Sequence, residues 1–199
     1  MAGWDTHQGT AIILPLANID TDQLIPARFM SVPRAQGYGQ YLLHDLRRTA
    51  DGALDPDLPL NADSEASVLL AGPHFGSGSS REAAVYALVD AGFRAVIAPS
   101  FGDIFASNAV NNGLLPARVS QTDWDTLSQA EGDTVVDLNA GTITTGTTKV
   151  SFALEESWRI KLINGWDDIE LTRQHAAQIA AYKNQRHQTA AWAWPAPPD

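Results

Sequence analysis

With 199 residues, 44% of them hydrophobic, the chain has material for one full-sized core, or for one core with a small appendage. A formal net charge of −10, with 13 Lys and Arg against 23 Asp and Glu, argues against a nucleic-acid partner, which needs a basic face. The chain holds no cysteine, hence no disulfide or thiolate ligand of its own, and no apolar run approaches the ~18 residues of a membrane span.

From Met1 to Thr10 no basic segment leads into an apolar stretch, so no signal peptide is expected and a cytoplasmic location is the default. Ala11 to Leu16 is an apolar run fit for a first strand. It ends in Asn18-Ile19-Asp20-Thr21-Asp22, an Asx-rich turn, followed by Gln23 to Phe29 with a proline inside. Asp20 and Asp22 invite a metal reading, but nothing nearby completes a Ca²⁺ loop, and both serve as turn formers and caps without one. No metal site is expected on this chain. Residues 31–66 are rich in Gly, Pro and Asp and read as loop, with one helical turn near Tyr41 to Leu46 and a mobile stretch from Asp51 to Ala66.

Ser67 to Ala71 has the length of a buried strand, and Ala83 to Ala91 reads as a helix closed by Gly92. Between them runs Gly72-Pro73-His74-Phe75-Gly76-Ser77-Gly78-Ser79-Ser80-Arg81-Glu82. Ser79 stands three residues before Glu82, the spacing of a capping box, and is the expected N-cap. Backbone N–H groups, a helix start, two hydroxyls and an arginine thus meet in one turn, a good place for an anion. A P-loop fails because Ser79-Ser80-Arg81 follows the last glycine, and a dinucleotide fingerprint fails because Arg81 stands where its third glycine belongs. In so acidic a chain, Arg81 and Arg28 stand out beside marked turns.

Ala95 to Pro99 reads as a second buried strand, Phe101 to Asn111 as a helix capped by Ser100, and Leu114 to Val119 as a third strand. This alternation implies parallel βαβ units with right-handed crossovers. A short helix follows from Thr122 to Ala130, and then a β-meander over Thr134–Leu138, Thr142–Thr145 and Lys149–Leu154, turning at Gly141 and Gly146. Glu156 to Ile163 is helical with Asn164-Gly165 as its stop, and Thr172 to Arg186 carries helical spacing throughout. The expected organisation is one domain over residues 1–186 and a flexible Pro/Ala/Trp tail over 187–199.

Three stretches carry a resemblance to a known family. Asp20-Thr21-Asp22-Gln23-Leu24-Ile25-Pro26-Ala27-Arg28-Phe29 resembles the opening motif of the isopropylmalate isomerase small subunits, and Phe75 to Glu82 resembles their "FGCGSSRE". Ile97-Ala98-Pro99-Ser100-Phe101-Gly102-Asp103-Ile104-Phe105, followed by Asn112-Gly113-Leu114-Leu115-Pro116, resembles their "IAPSFADIF…NGLLP". The match runs over roughly residues 10–186 in the family's order.

The resemblance implies an α/β fold, a swivelling β/β/α domain like the mobile domain of aconitase, with a parallel βαβ core and a β-meander. It implies a large-subunit partner that carries a [4Fe–4S] cluster on its own cysteines, with no cofactor bound by this chain. The implied reaction dehydrates and rehydrates a 2-hydroxy diacid, converting 2-isopropylmalate into 3-isopropylmalate in leucine biosynthesis. By motif position Ser79 is the base, and Ser80, Arg81 and Arg28 are contacts to the dicarboxylate substrate. Asp22, Glu82, Gly76 and Gly78 are supporting residues.

Departures from the family pattern are Ala83 in place of a histidine, Ser77 in place of a cysteine, Pro73-His74 before the loop, and Ile160-Lys161 near the C-terminus. These keep open a paralogue acting on another diacid of the dimethylmalate, homocitrate or citraconate type, and a regulatory subunit without catalysis.

Overall fold

The computed structural model describes residues 2–62 and 65–194. Its strands are β1 (Thr6–Gly9), β2 (Ala11–Leu14), β3 (Val68–Ala71), β4 (Ala95–Ala98), β5 (Leu115–Arg118), β6 (Thr134–Asp137), β7 (Thr142–Thr145) and β8 (Thr148–Ser151). Its α-helices are α1 (Thr21–Leu24), α2 (Pro59–Ala62), α3 (Glu82–Asp90), α4 (Asp103–Asn111), α5 (Gln121–Ser128), α6 (Glu156–Asn164), α7 (Asp168–Arg173) and α8 (Ala176–Thr189). The chain divides into two compact units, Met1–Trp166 and Asp167–Asp199.

In the first unit, β2, β3, β4 and β5 form a parallel sheet in that order, and β1, β6, β7 and β8 form an antiparallel one. Because parallel neighbours are consecutive in the chain, right-handed crossovers put every connecting helix on one face. The side chains bear this out. Along β3, Leu69 and Ala71 join a core with Ala84, Val85 and Leu88 of α3 and Phe105 of α4. Val68 and Leu70 point the other way, into a second core with Val136, Ile143 and Val150 of the antiparallel sheet. In β4 the same alternation separates Val96 and Ala98 from Ala95 and Ile97. All residues of these two strands are buried, which is why they read as unbroken apolar runs. Each such Leu, Ile or Val contributes about 1.5–3 kcal/mol by leaving water. The result is a sheet between a sheet and a helical layer: the swivelling β/β/α arrangement.

Several expectations change in detail. Ser79 does not cap α3; Arg81 occupies the N-cap without a side-chain cap bond, and Ser79 is exposed in the preceding turn. The reason is Glu82, whose carboxylate accepts from Asn112 Nδ2 at 2.9 Å instead of reaching back to close a capping box. Ser100 does not cap α4 either. Its N-cap is Gly102, and the Ser100 hydroxyl accepts from the backbone N–H of His74 at 2.9 Å. Strand β1 (Thr-His-Gln-Gly) was not expected, because it carries no apolar pattern and is held by pairing with β6 and by contact of His7 with Ser67.

The stretch expected as a mobile loop contains α2, with Leu60 buried, and Asn61 Nδ2 donates to the carbonyls of Arg47 and Asp55. In the second unit, the helix expected over 172–186 is two helices, broken at Gln174–His175. The start of α7 is a full capping box between Asp167 and Glu170, and α8 runs on to Thr189, inside the expected tail. The end of that tail, residues 195–199, lies outside the described residues.

Candidate functional site

In an open parallel sheet, ligands bind beyond the carboxyl ends of the strands. Here the loops leaving β2, β3 and β4 stay paired beyond those ends. Gly76 N donates to Ile19 O at 2.7 Å and Thr21 N to Ser77 O at 3.0 Å. Phe75 N donates to Ser100 O at 3.1 Å and Gly102 N to Phe75 O at 2.9 Å. Isolated parallel bridges Asp20–Ser77 and Phe75–Phe101 record the same continuation. The glycine turn is therefore held on both flanks as a further stretch of sheet.

The sequence of each flank explains its hold. Asp20 caps α1: its carboxylate accepts from Gln23 N at 2.7 Å, and Gln23 Oε1 accepts from Asp20 N at 2.9 Å. Thr21 is buried and donates from Oγ1 to the carbonyl of Ser79 at 3.0 Å. That same carbonyl accepts from Arg81 N at 2.8 Å. At Gly76, φ is +71° and a Cβ would overlap the Phe105 ring of α4; at Gly78, φ is +94°. Both glycines of the motif are required by backbone conformation, and Gly76 by a close approach as well.

The polar groups of the turn are available. Ser79 and Ser80 are exposed, and their hydroxyls bond to no described residue. The N–H groups of Ser79, Ser80, Glu82 and Ala83 find no backbone acceptor among the described residues. Arg81 forms an ion pair through Nη1 with Asp22, which leaves Nε and Nη2 for a planar anion. Ser79, Gly76 and Gly78 line a hollow of about 200 Å³ with Gly102, Asp103, Ile104 and Phe105. The start of α4 thus faces the serine across this hollow, adding a second helix start to an anion's surroundings. Among the described residues no group of three His, Asp or Glu side chains suits a metal ion.

The sequence-predicted residues separate into two groups. Ser79, Ser80, Arg81, Asp22, Gly76 and Gly78 come together around the turn, with Glu82 beside it as a brace from α3 to the end of α4. Arg28 lies elsewhere in the hydrogen-bond pattern. It pairs with Asp45, stands 3.3 Å from His44 Nδ1 and covers the Phe29 ring at 4.5 Å. Sequence reasoning missed Thr21 and Phe105 as supports of the turn. The signal for Thr21 was its place between the two aspartates; Phe105 gave none, since its contact with Gly76 depends on the fold.

Hydrogen bonds from Arg28 and then His44 hold the Asp45 carboxyl down to about 2. A depressed carboxylate favours the folded state above its unfolded value and loses that contribution as pH falls toward the folded one. Both side chains are more than half exposed, so the effect on stability is screened and small. In Arg28→Gln, the Asp45 titration followed by NMR is expected to move up toward the ordinary carboxylate range. An unchanged midpoint would show that Arg28 is not the cause.

Residues 1–122 match the family model for the aconitase C-terminal domain. The 3-isopropylmalate dehydratase small subunit of Shouchella clausii is 44% identical over 186 residues, covering 90% of this chain and 94% of the relative. The protein of that name from Shewanella baltica is 46% identical over 195 residues, covering 93% and 97%. In fold, the chain is similar to the crystal structure of 3-isopropylmalate dehydratase from Methanocaldococcus jannaschii, at a TM-score of 0.66 and 24% identity, over 88% of this chain and 99% of that one. With identities of 44–46% over nine-tenths or more of the chain and a family model matched over residues 1–122, this chain belongs to the 3-isopropylmalate dehydratase small-subunit family, within the aconitase C-terminal domain family.

Proposed function

We propose that this chain is the small subunit of a heteromeric hydro-lyase that interconverts 2-isopropylmalate and 3-isopropylmalate in leucine biosynthesis, working in the cytoplasm. The observation that carries the reading is the free Ser79 hydroxyl one residue pair away from Arg81, whose guanidinium is anchored by Asp22 and open on its other side. A chain without cysteine offers no thiolate for an Fe–S cluster, so the [4Fe–4S] cluster belongs to the large subunit. When bound there, it supplies the Lewis acid that loosens the substrate hydroxyl.

This chain's own groups do the rest. Arg81 takes one substrate carboxylate by its fork, with Ser80 and the open N–H groups of the turn as further donors. Ser79 Oγ, as alkoxide, accepts the proton from the carbon next to that carboxylate. The C–H electron pair becomes the alkene bond as the hydroxyl departs from the neighbouring carbon. Return of proton and hydroxyl to the exchanged carbons gives the isomer. A serine of ordinary acidity is a poor base; the positive starts of two helices and the Arg81 cation favour its ionised form.

Two departures from the family pattern find a structural account. Ala83 is buried and packs in the helix-side core. Ser77 acts through its backbone, accepting from Thr21 N. Neither Ala83 nor Ser77 lines the hollow beside Ser79.

The test is anaerobic turnover of this chain with a cluster-loaded large subunit from the same cell, followed by alkene absorbance with 3-isopropylmalate, citrate, homocitrate, citramalate and dimethylmalate. Preferred turnover of isopropylmalate supports the reading. Preference for another diacid would make the chain a paralogue, and no turnover of any would favour a regulatory subunit. In the same assay, Asp22→Asn is expected to raise KM up to about fivefold by releasing Arg81, with a smaller change in kcat, since an ion pair to a half-exposed carboxylate is worth about 0.2–1 kcal/mol. A normal KM would show that Arg81 is placed without Asp22.

A further inference from the structure

A cavity larger than the hollow beside Ser79 lies next to it. It measures about 520 Å³ and is bounded by α4, β5 and the start of α6. Cavities of roughly 300–1,000 Å³ hold small ligands. Its lining has two parts. Phe101, Ala106 and Pro116 are buried apolar surface, with Trp158 as a half-buried wall. Asp103, Arg118 and Glu155 are exposed charges of both signs.

These three charged side chains form no ion pair and no hydrogen bond among the described residues. Their placement is fixed by the backbone. Ala153 N donates to Arg118 O at 2.9 Å in an isolated antiparallel bridge, which brings the Arg118 strand end beside the segment that carries Glu155. Glu155 is the N-cap of α6 but makes no side-chain cap bond, so its carboxylate remains open. Asp103 is the first residue of α4.

A guanidinium and two carboxylates around an apolar interior complement one chemistry in particular: a zwitterion with an apolar body. We propose that this cavity binds a free α-amino acid with a branched or aromatic side chain. The ligand's carboxylate takes the Arg118 fork and its ammonium lies toward Asp103 and Glu155. The side chain rests on Phe101, Pro116 and Trp158. Diacids are poorly suited, because two lining carboxylates oppose one arginine.

The same geometry links the cavity to the serine turn. Asp103 lines both the cavity and the Ser79 hollow, and Phe105 in the same helical turn touches Gly76. A ligand held by Asp103 therefore acts on the turn of α4 that supports Ser79. This second consequence rests on the proposed function; binding itself does not.

Calorimetric titration of the full chain tests the site, with leucine, phenylalanine and glycine beside 4-methyl-2-oxopentanoate, which lacks the ammonium, and 3-methylbutylamine, which lacks the carboxylate. Saturable binding of leucine or phenylalanine is expected, at least tenfold weaker for glycine, the oxo acid and the amine. Arg118→Gln and Glu155→Gln, both at exposed positions, are each expected to weaken it at least tenfold with the unfolding temperature unchanged. Absence of saturable binding, equal binding of the oxo acid, or indifference to Arg118→Gln would overturn the proposal. So would loss of binding on adding the large subunit together with weaker subunit pairing in Arg118→Gln, which would make the cavity part of that interface. A chain that binds leucine but turns over no diacid would keep this site and refute the proposed reaction.

Discussion

Ser79→Ala is expected to reduce turnover of isopropylmalate about 10²–10⁴-fold, the range a positioned proton-transfer group supplies. Subunit pairing and unfolding temperature should stay as they were, because the Ser79 hydroxyl is exposed and bonds to no described residue. The turn is held through the Ser79 carbonyl, which accepts from Thr21 and Arg81, and alanine keeps that carbonyl. The loss should therefore fall on kcat far more than on KM. A variant retaining a tenth or more of wild-type kcat would remove Ser79 from the base role. Comparable loss in Ser80→Ala with normal Ser79→Ala activity would move the role one residue on.

Gly76→Ala is expected to be the most destabilising small change in the site, for two separable reasons. The backbone at +71° costs a non-glycine residue about 1–2 kcal/mol, and the new methyl overlaps the Phe105 ring, where overpacking costs about 1–3 kcal/mol. The sum, about 3 kcal/mol, corresponds to about 10 °C in Tm for a chain of this size. Thermal unfolding of Gly76→Ala, Phe105→Leu and the double variant separates the terms. The double variant should be less destabilised than the two single changes added together, since leucine yields space to the methyl. Strict additivity would leave the backbone as the whole cause.

Much of this was legible because the physics is local. Strands β3 and β4 are apolar on both faces, which only a doubly covered parallel sheet requires, and their order with α3 and α4 gives the βαβ topology. The serine turn was legible for the same reason: its glycines, hydroxyls and arginine are contiguous. What failed was where a local preference met a distant partner. Glu82 was drawn to Asn112, thirty positions away, so the capping box never closed. Ser100 was drawn to His74, leaving Gly102 to begin α4. Arg28 is a different matter: its pairing with Asp45 could not be read from the sequence, and a substrate contact through Arg28 stays a proposal. The break before α8 is the opposite case, since the Asp167–Glu170 box that starts α7 was present in the sequence.

The continued pairing beyond the strand ends also bears on how the protein reaches its active form. Asp20 meets Ser77 only after β2 has docked on β3, and these neighbours are separated by roughly fifty residues, a closure costing about 3–4 kcal/mol of chain entropy before contacts repay it. By contrast, β3, α3 and β4 are near neighbours in the chain and can associate early. The serine turn would then acquire its final shape in a late step of folding. Amide exchange at Gly76 and Thr21, whose N–H groups bridge the two segments, would become protected after that of β4.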